Sequence, residues 1–71
     1  MEKVEFVTKT TYAYERLKRE IMDGTLGQGE KLVVNAISQR YQVSPMPIRE
    51  ALLKLEQEGL VQSAPHRGAW V

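Results

Sequence analysis

Three residues, Gln42-Val43-Ser44, separate two stretches of helical periodicity, and this short break constrains the fold more than any other feature of the chain. Downstream of it, Ile48, Ala51, Leu52 and Leu55 recur at i, i+3, i+4 and i+7, a single apolar stripe on a helix predicted from Pro45 to Glu58. Ser44 is the expected N-cap, and its hydroxyl can reach only the amide of Met46 because Pro47 has none. Pro45 takes the first helical position, where a missing N–H costs nothing. Gly59 is the expected stop. Upstream, Ala36, Ile37 and Tyr41 face one way on a shorter helix from about Asn35 to Tyr41, with Asn35 a candidate N-cap and a start one or two residues earlier left open. A helix that short is marginal alone and must be held by packing. Two helices joined by so short a turn are set across one another, with Val43 as an apolar plug and small Ala51 permitting close approach.

A first helix is predicted from about Thr11 to Asp23, with Tyr14, Leu17 and Ile21 on its dry face and Met22 beside them. Thr10 or Thr11 caps its start, and Gly24 suits the left-handed position past its end. Residues 1–9 read as an N-terminal arm. After Gly59 the pattern changes to strand character. Leu60-Val61-Gln62-Ser63 and Ala69-Trp70-Val71 flank the turn Ala64-Pro65-His66-Arg67-Gly68, a short β-hairpin. Trp70 is expected on the inside, packed against the third helix. The predicted fold class is mainly α with a small β-hairpin: three helices plus a wing, a winged helix-turn-helix over residues 10–71.

Composition excludes several classes. A chain of 71 residues is one domain with little volume for a substrate cavity. Its 42% hydrophobic and 27% charged content is that of a folded domain, which argues against disorder. It has no cysteine, so disulfides, thiol chemistry and zinc–thiolate sites are out, and a reducing cytoplasm is compatible. With a single histidine, no metal cluster and no cofactor site is expected. No apolar run exceeds three residues, so neither a signal peptide nor a membrane helix is expected. No phosphate-binding glycine motif or acid pair supports catalysis. Net charge is +1 and evenly spread, so charge alone announces no partner.

In a helix-turn-helix the helix after the turn enters the DNA major groove, led by its N-terminal residues. A hairpin wing beside it can reach an adjacent groove or the phosphates. A winged helix can also serve as a protein–protein interaction module without DNA binding, a reading the low net charge leaves open.

The segments Ser44-Pro45-Met46-Pro47-Ile48-Arg49-Glu50-Ala51-Leu52, Leu55-Glu56-Gln57-Glu58-Gly59-Leu60-Val61 and Arg67-Gly68-Ala69-Trp70-Val71 closely resemble the DNA-binding domain of GntR-family bacterial transcription regulators. Tyr14 to Ile21, Gly24-Thr25-Leu26 and Gly29-Glu30-Lys31-Leu32 resemble the family's first helix and following loop. The likeness spans about residues 10–71, and is greatest to the subfamily with an all-helical C-terminal effector domain. It implies a cytoplasmic, ligand-responsive regulator, usually a repressor, that binds palindromic double-stranded operator DNA as a homodimer. Dimerisation and the small-molecule effector belong to an effector domain absent from this chain, which is therefore expected to be a fragment or isolated module. Three positions depart from the pattern. Pro45 replaces an operator-contacting arginine, Gln28 a loop proline, and Gln42 the glycine of the turn.

The resemblance makes Arg49 a base-reading or phosphate-contacting arginine; the alternative is a solvated side chain paired with Glu50 or Glu56. Glu50 is expected to orient a neighbour. Ser44 is a phosphate donor, a cap, or both. Met46 and Pro47 offer apolar contact, for example to a thymine methyl, or are exposed filler. Asn35 is a DNA contact or a plain cap, and Arg40 a phosphate contact or a solvated cation. Lys9 and Thr10 are further phosphate candidates. His66, Arg67 and Gly68 form the wing tip, with Arg67 suited to a minor groove and Gly68 first of all a turn residue.

Overall fold

The computed structural model describes residues 8–71. The elements run α1 (Lys9–Met22), β1 (Lys31–Leu32), α2 (Val34–Tyr41), α3 (Pro45–Gln57), β2 (Gln62–Ala64) and β3 (Gly68–Trp70). Of the expected arm, residues 1–7 lie outside the described residues. The other two, Thr8 and Lys9, form the entry to α1. Its cap is Thr8, not Thr10 or Thr11: the Thr8 hydroxyl accepts from the Thr11 amide at 3.0 Å.

Helix α3 packs on both α1 and α2. Ile48, Ala51, Leu52 and Leu55 are all buried, together with Ala13, Tyr14 and Leu17 from α1 and Ile37 and Tyr41 from α2. Val43 fills the turn as expected, at 7% exposure. Two side-chain clasps close the α1–α3 seam. The Thr10 hydroxyl donates to Glu50 at 2.6 Å, and the Tyr14 phenol to both carboxylate oxygens of Glu58 at 2.7 and 2.8 Å. Two apolar residues depart from expectation. Ala36 is exposed, because it stands about 100° around α2 from Ile37 and about 140° from Tyr41, away from the buried edge. Met22, in the last turn of α1, is 68% exposed.

Capping also differs. Helix α2 begins after Val33 with no side-chain cap, so Asn35 lies inside its first turn and is not the N-cap. Ser44 precedes α3 in extended conformation, but its hydroxyl makes no cap bond to Met46.

Both HTH helices end in the same motif. After α3, the Gly59 amide donates to Glu56 O and the Leu60 amide to Leu55 O, each at 3.0 Å, with Gly59 left-handed at φ 84°. After α2, the Gln42 amide reaches Gln39 O at 3.4 Å and the Val43 amide Ser38 O at 3.1 Å, with Gln42 at φ 57°. The Ser38 hydroxyl closes the turn by donating to Val43 O at 2.5 Å. A left-handed residue with a Cβ costs ~1–2 kcal/mol, part of which glycine returns through its freer unfolded state. Gln42→Gly is therefore expected to stabilise the domain by about 0.5–1 kcal/mol and raise Tm by several degrees. Thermal melting followed by circular dichroism checks this, and an unchanged or lower Tm contradicts it.

The wing is larger than a hairpin. Strand β3 is central, pairing antiparallel with β2 (Gln62↔Trp70, Ser63↔Ala69, Ala64↔Gly68) and with β1 (Lys31↔Trp70, Leu32↔Ala69). The Gly29 amide to Val71 O (2.8 Å) and the Val71 amide to Glu30 O (2.9 Å) extend the β1 pairing. The turn is also tighter than expected, since Ala64 and Gly68 belong to the strands. The Arg67 amide donates to Ala64 O at 3.1 Å across Pro65 and a left-handed His66 at φ 66°. Those are the positions where a type II turn favours proline and positive φ.

Strand parity corrects the placement of Trp70. Leu32 is buried, and its partner Ala69 packs against the core. Successive strand side chains alternate faces, so Trp70 stands on the outer face with Lys31 and Gln62, half-buried and outside the core cluster.

Candidate nucleic-acid interface

The first turn of α3 is stiff and exposed. Two prolines restrict its backbone. Met46 projects at 62% exposure, Ser44 is exposed with its hydroxyl unused by the cap, and Pro47 is half-buried. Arg49 is exposed and makes no ion pair among the described residues. The two acids expected to compete for it are held elsewhere. Glu50 accepts from Thr10, and Glu56 accepts from the Ser63 hydroxyl at 2.9 Å.

Arg40 has a different environment. Its guanidinium is paired with Glu20 and lies 5.4 Å from the centre of the Tyr41 ring. Glu20 also accepts from the Tyr41 phenol at 2.9 Å and from Arg16 at 3.3 Å. Arg16 in turn lies 4.1 Å over the Tyr41 ring. This network ties α1 to α2 and leaves Arg40 47% exposed. Burial alone raises the Glu20 pKa, but the hydrogen bonds from Arg40 and Tyr41 outweigh it and hold the carboxyl below its ordinary value. Burial and the Glu20 bond push the Tyr41 phenol up, keeping it a donor.

A group with a lowered folded pKa stabilises above its unfolded pKa and loses that stability as pH falls through the folded one. Glu20 is expected to contribute in this way, in full above the ordinary glutamate range and decreasingly as pH falls below it. Glu20→Ala is expected to cost on the order of 1–3 kcal/mol at pH 7, because it leaves the mostly buried Tyr41 phenol unpartnered. The cost should shrink in acid. Denaturant titrations at pH 7 and pH 3 check the sign; an equal cost at both contradicts it.

Asn35 is exposed in the first turn of α2. Lys9 is exposed at the start of α1, while Thr10 is engaged by Glu50. His66, Arg67 and Gly68 are exposed at the wing tip, and Gly68 is left-handed at φ 78°. Arg67 borders a shallow recess with Gly29, Lys31 and Trp70.

The structure thus brings together one subset of the expected residues. Arg49 and the base of the wing line a common groove of about 600 Å³ between α3 and the sheet. Its walls include Val33, Leu53 and Ala69, with Gly68 at the wing side. Arg40 and Asn35 lie outside this groove. One cation missed from sequence, Lys31, borders it from β1, with its side chain on the outer face of the sheet. Its only sequence signal was the Lys-Leu alternation before α2, two residues long. Among the described residues no group of three His, Cys, Asp or Glu could hold a metal, and no helix is long and apolar enough to cross a membrane.

Three helices, a tight turn and a three-stranded wing beside an exposed α3 start define a winged helix-turn-helix domain. The chain belongs to the gntR family of bacterial regulatory proteins, whose family model matches residues 9–71. It is 40% identical over 58 residues to the HTH-type transcriptional repressor RspR of Escherichia coli K12, covering 82% of this chain and 25% of that one. The chain therefore spans about a quarter of that relative's length. A GntR-family transcriptional regulator from Pseudomonas syringae pv. tomato superposes with a TM-score of 0.80 at 38% identity, covering 89% of this chain and 27% of that one. The DNA-binding domain of AraR, solved in complex with operator ORR3, superposes with a TM-score of 0.87 at 25% identity, covering 100% of this chain and 87% of that one.

Proposed function

We propose that this chain is the operator-reading domain of a longer, ligand-responsive bacterial transcription regulator, most simply a repressor. It binds double-stranded DNA in sequence-specific fashion, with the first turn of α3 in the major groove. The observation that carries this reading is the state of Arg49. It stands exposed on a rigid helix start, and both neighbouring acids that could neutralise it are engaged by other side chains. Ser44, Met46 and Pro47 supply polar and apolar contacts in the same turn. Arg67, His66 and Gly68 approach the adjacent groove or phosphates, and Asn35 and the half-exposed Arg40 contribute from α2. The likeness to a transcriptional repressor, RspR, and to the AraR domain solved on its operator supports regulation by DNA occupancy.

On this reading the chain binds and does not catalyse, takes no cofactor or metal, and works in the cytoplasm. Homodimerisation on a palindromic operator and the response to a small molecule reside in the parts of a longer protein beyond this domain. The replacement of an arginine by Pro45 shifts or relaxes one base of the half-site. Selection of bound duplexes from a random pool, followed by binding at graded salt, tests the proposal. A reproducible half-site and a steep fall of affinity with salt are expected. Salt-insensitive binding, or no enrichment, overturns it in favour of a protein–protein module.

A further inference from the structure

The tip of α3 has almost no means of making hydrogen bonds. Pro45 and Pro47 lack an amide N–H, so residues 45–47 offer a single backbone donor, that of Met46. None of the three side chains donates, and a thioether accepts only weakly. Met46 nevertheless projects from this turn at 62% exposure, while Ile48, two residues on, is fully buried. We propose that Met46 reads the C5 methyl group of one thymine, so that its preference follows the methyl group and not the hydrogen-bonding edge of the base. The inference rests on the operator-reading function proposed above.

Chemistry, placement and stiffness support it. Base pairs present donors and acceptors to the major groove, and the one apolar group that projects there is the thymine methyl. An apolar tip without side-chain donors can favour no other. Packing that methyl against an unbranched, polarizable thioether removes both from water. Met46 and Arg49 are three residues apart, hence neighbours on one face of α3, and both are exposed. Three residues advance a helix by about 4.5 Å, against about 3.4 Å between stacked bases, so the thymine lies within a step or two of the site that Arg49 contacts. The prolines fix the backbone of this turn, and Val43 and Ile48 anchor it from the core. Met46 therefore meets the groove at a fixed position although its own side chain is flexible.

A contact to the methyl group behaves differently from a hydrogen bond to the base edge. Uracil lacks only the methyl of thymine and keeps the same hydrogen-bonding edge, so it is expected to be rejected. 5-Methylcytosine carries a methyl at the same ring position, so cytosine methylation there is expected to strengthen binding. The contact releases no counterion, so its worth is expected to stay constant across salt concentrations.

The experiment measures the affinity of the chain for the duplex it selects, with each thymine of the half-site, on either strand, replaced in turn by uracil. One replacement is expected to weaken binding about three- to tenfold, the worth of one buried methyl group. At that position 5-methylcytosine is expected to bind more tightly than cytosine by a similar factor. Met46→Ala and Met46→Gln are expected to bind the thymine and uracil duplexes alike, and Met46→Leu to keep the preference. Met22→Ala removes an exposed methionine at the end of α1 remote from the Thr10–Glu50 clasp, and is expected to behave as the wild type. Equal melting temperatures establish that the variants fold. A half-site without thymine, or one in which no uracil replacement weakens the wild type while Arg49→Ala does lose affinity, overturns the inference and leaves the operator-reading function standing. A thymine preference that survives in Met46→Ala and Met46→Gln also overturns it, since another side chain then reads the methyl. If the chain selects no duplex, the operator reading fails and the inference with it.

Discussion

Replacing Ile48 with alanine is expected to lower the stability of the domain by about 2–5 kcal/mol, enough to drop Tm by roughly 10–40 °C. Ile48 has no exposed surface, and it lies in the cluster that joins Leu17 of α1 and Ile37 and Tyr41 of α2. Helix α3 packs on both other helices, so a void there weakens both seams at once. A domain of this size has a total stability of roughly 4–10 kcal/mol, and no disulfide backs up the core. The loss is thus comparable with the whole. Ile48→Val, which removes one methyl group, is expected to cost only about 0.5–1.5 kcal/mol. Urea titration of the two variants measures both values. A Tm change of a degree or two for the alanine variant would show that α2 and α3 close over the void, and that the core is softer than its burial suggests.

The same stripe made the helix-turn-helix legible from sequence. Ile48, Ala51, Leu52 and Leu55 mark α3 by period, and Pro45 and Gly59 punctuate its ends, so its bounds follow within a residue. Signals fail where the chain uses backbone in place of side chains. Val33 precedes α2 without capping it, so no capping side chain marks the earlier of the possible starts and Asn35 stands out as the cap. Strand β1 is two residues long, too short for alternation to register, and its partner lies 37 positions on, Leu32 opposite Ala69. Missing β1 had a consequence for the site. A two-stranded hairpin does not reveal which face is dry, and size and apolarity alone put Trp70 inside. Pairing with β1 buries Leu32 against the core and turns Trp70 and Lys31 outward together. The candidate site was legible to the extent that it sits on α3. Arg49 could be placed on the wet side of the stripe by period alone, whereas the pairing of Arg40 with Glu20 across two helices has no local signature.

Arg49→Ala is expected to leave the fold intact and to weaken binding to the selected duplex about ten- to a hundredfold. An exposed side chain without an ion pair among the described residues contributes within about ±0.5 kcal/mol to stability. Its effect therefore has to appear in binding. A bidentate arginine–guanine contact is worth about 1–3 kcal/mol of discrimination, and each 1.4 kcal/mol is a factor of ten. Lysine separates the two roles this arginine can play. Its ammonium keeps the charge but lacks the planar fork that matches the guanine edge. If Arg49 reads a base, Arg49→Lys retains most of the salt dependence yet loses discrimination at one position of the half-site. If Arg49 holds only a phosphate, Arg49→Lys binds nearly as the wild type does, and Arg49→Ala loses affinity equally on every sequence. The absence of a second cation in the same turn sharpens the test. With proline at position 45, no neighbouring arginine in the first turn of α3 can take over the contact. Full affinity and full discrimination in Arg49→Ala would remove α3 from the DNA interface altogether.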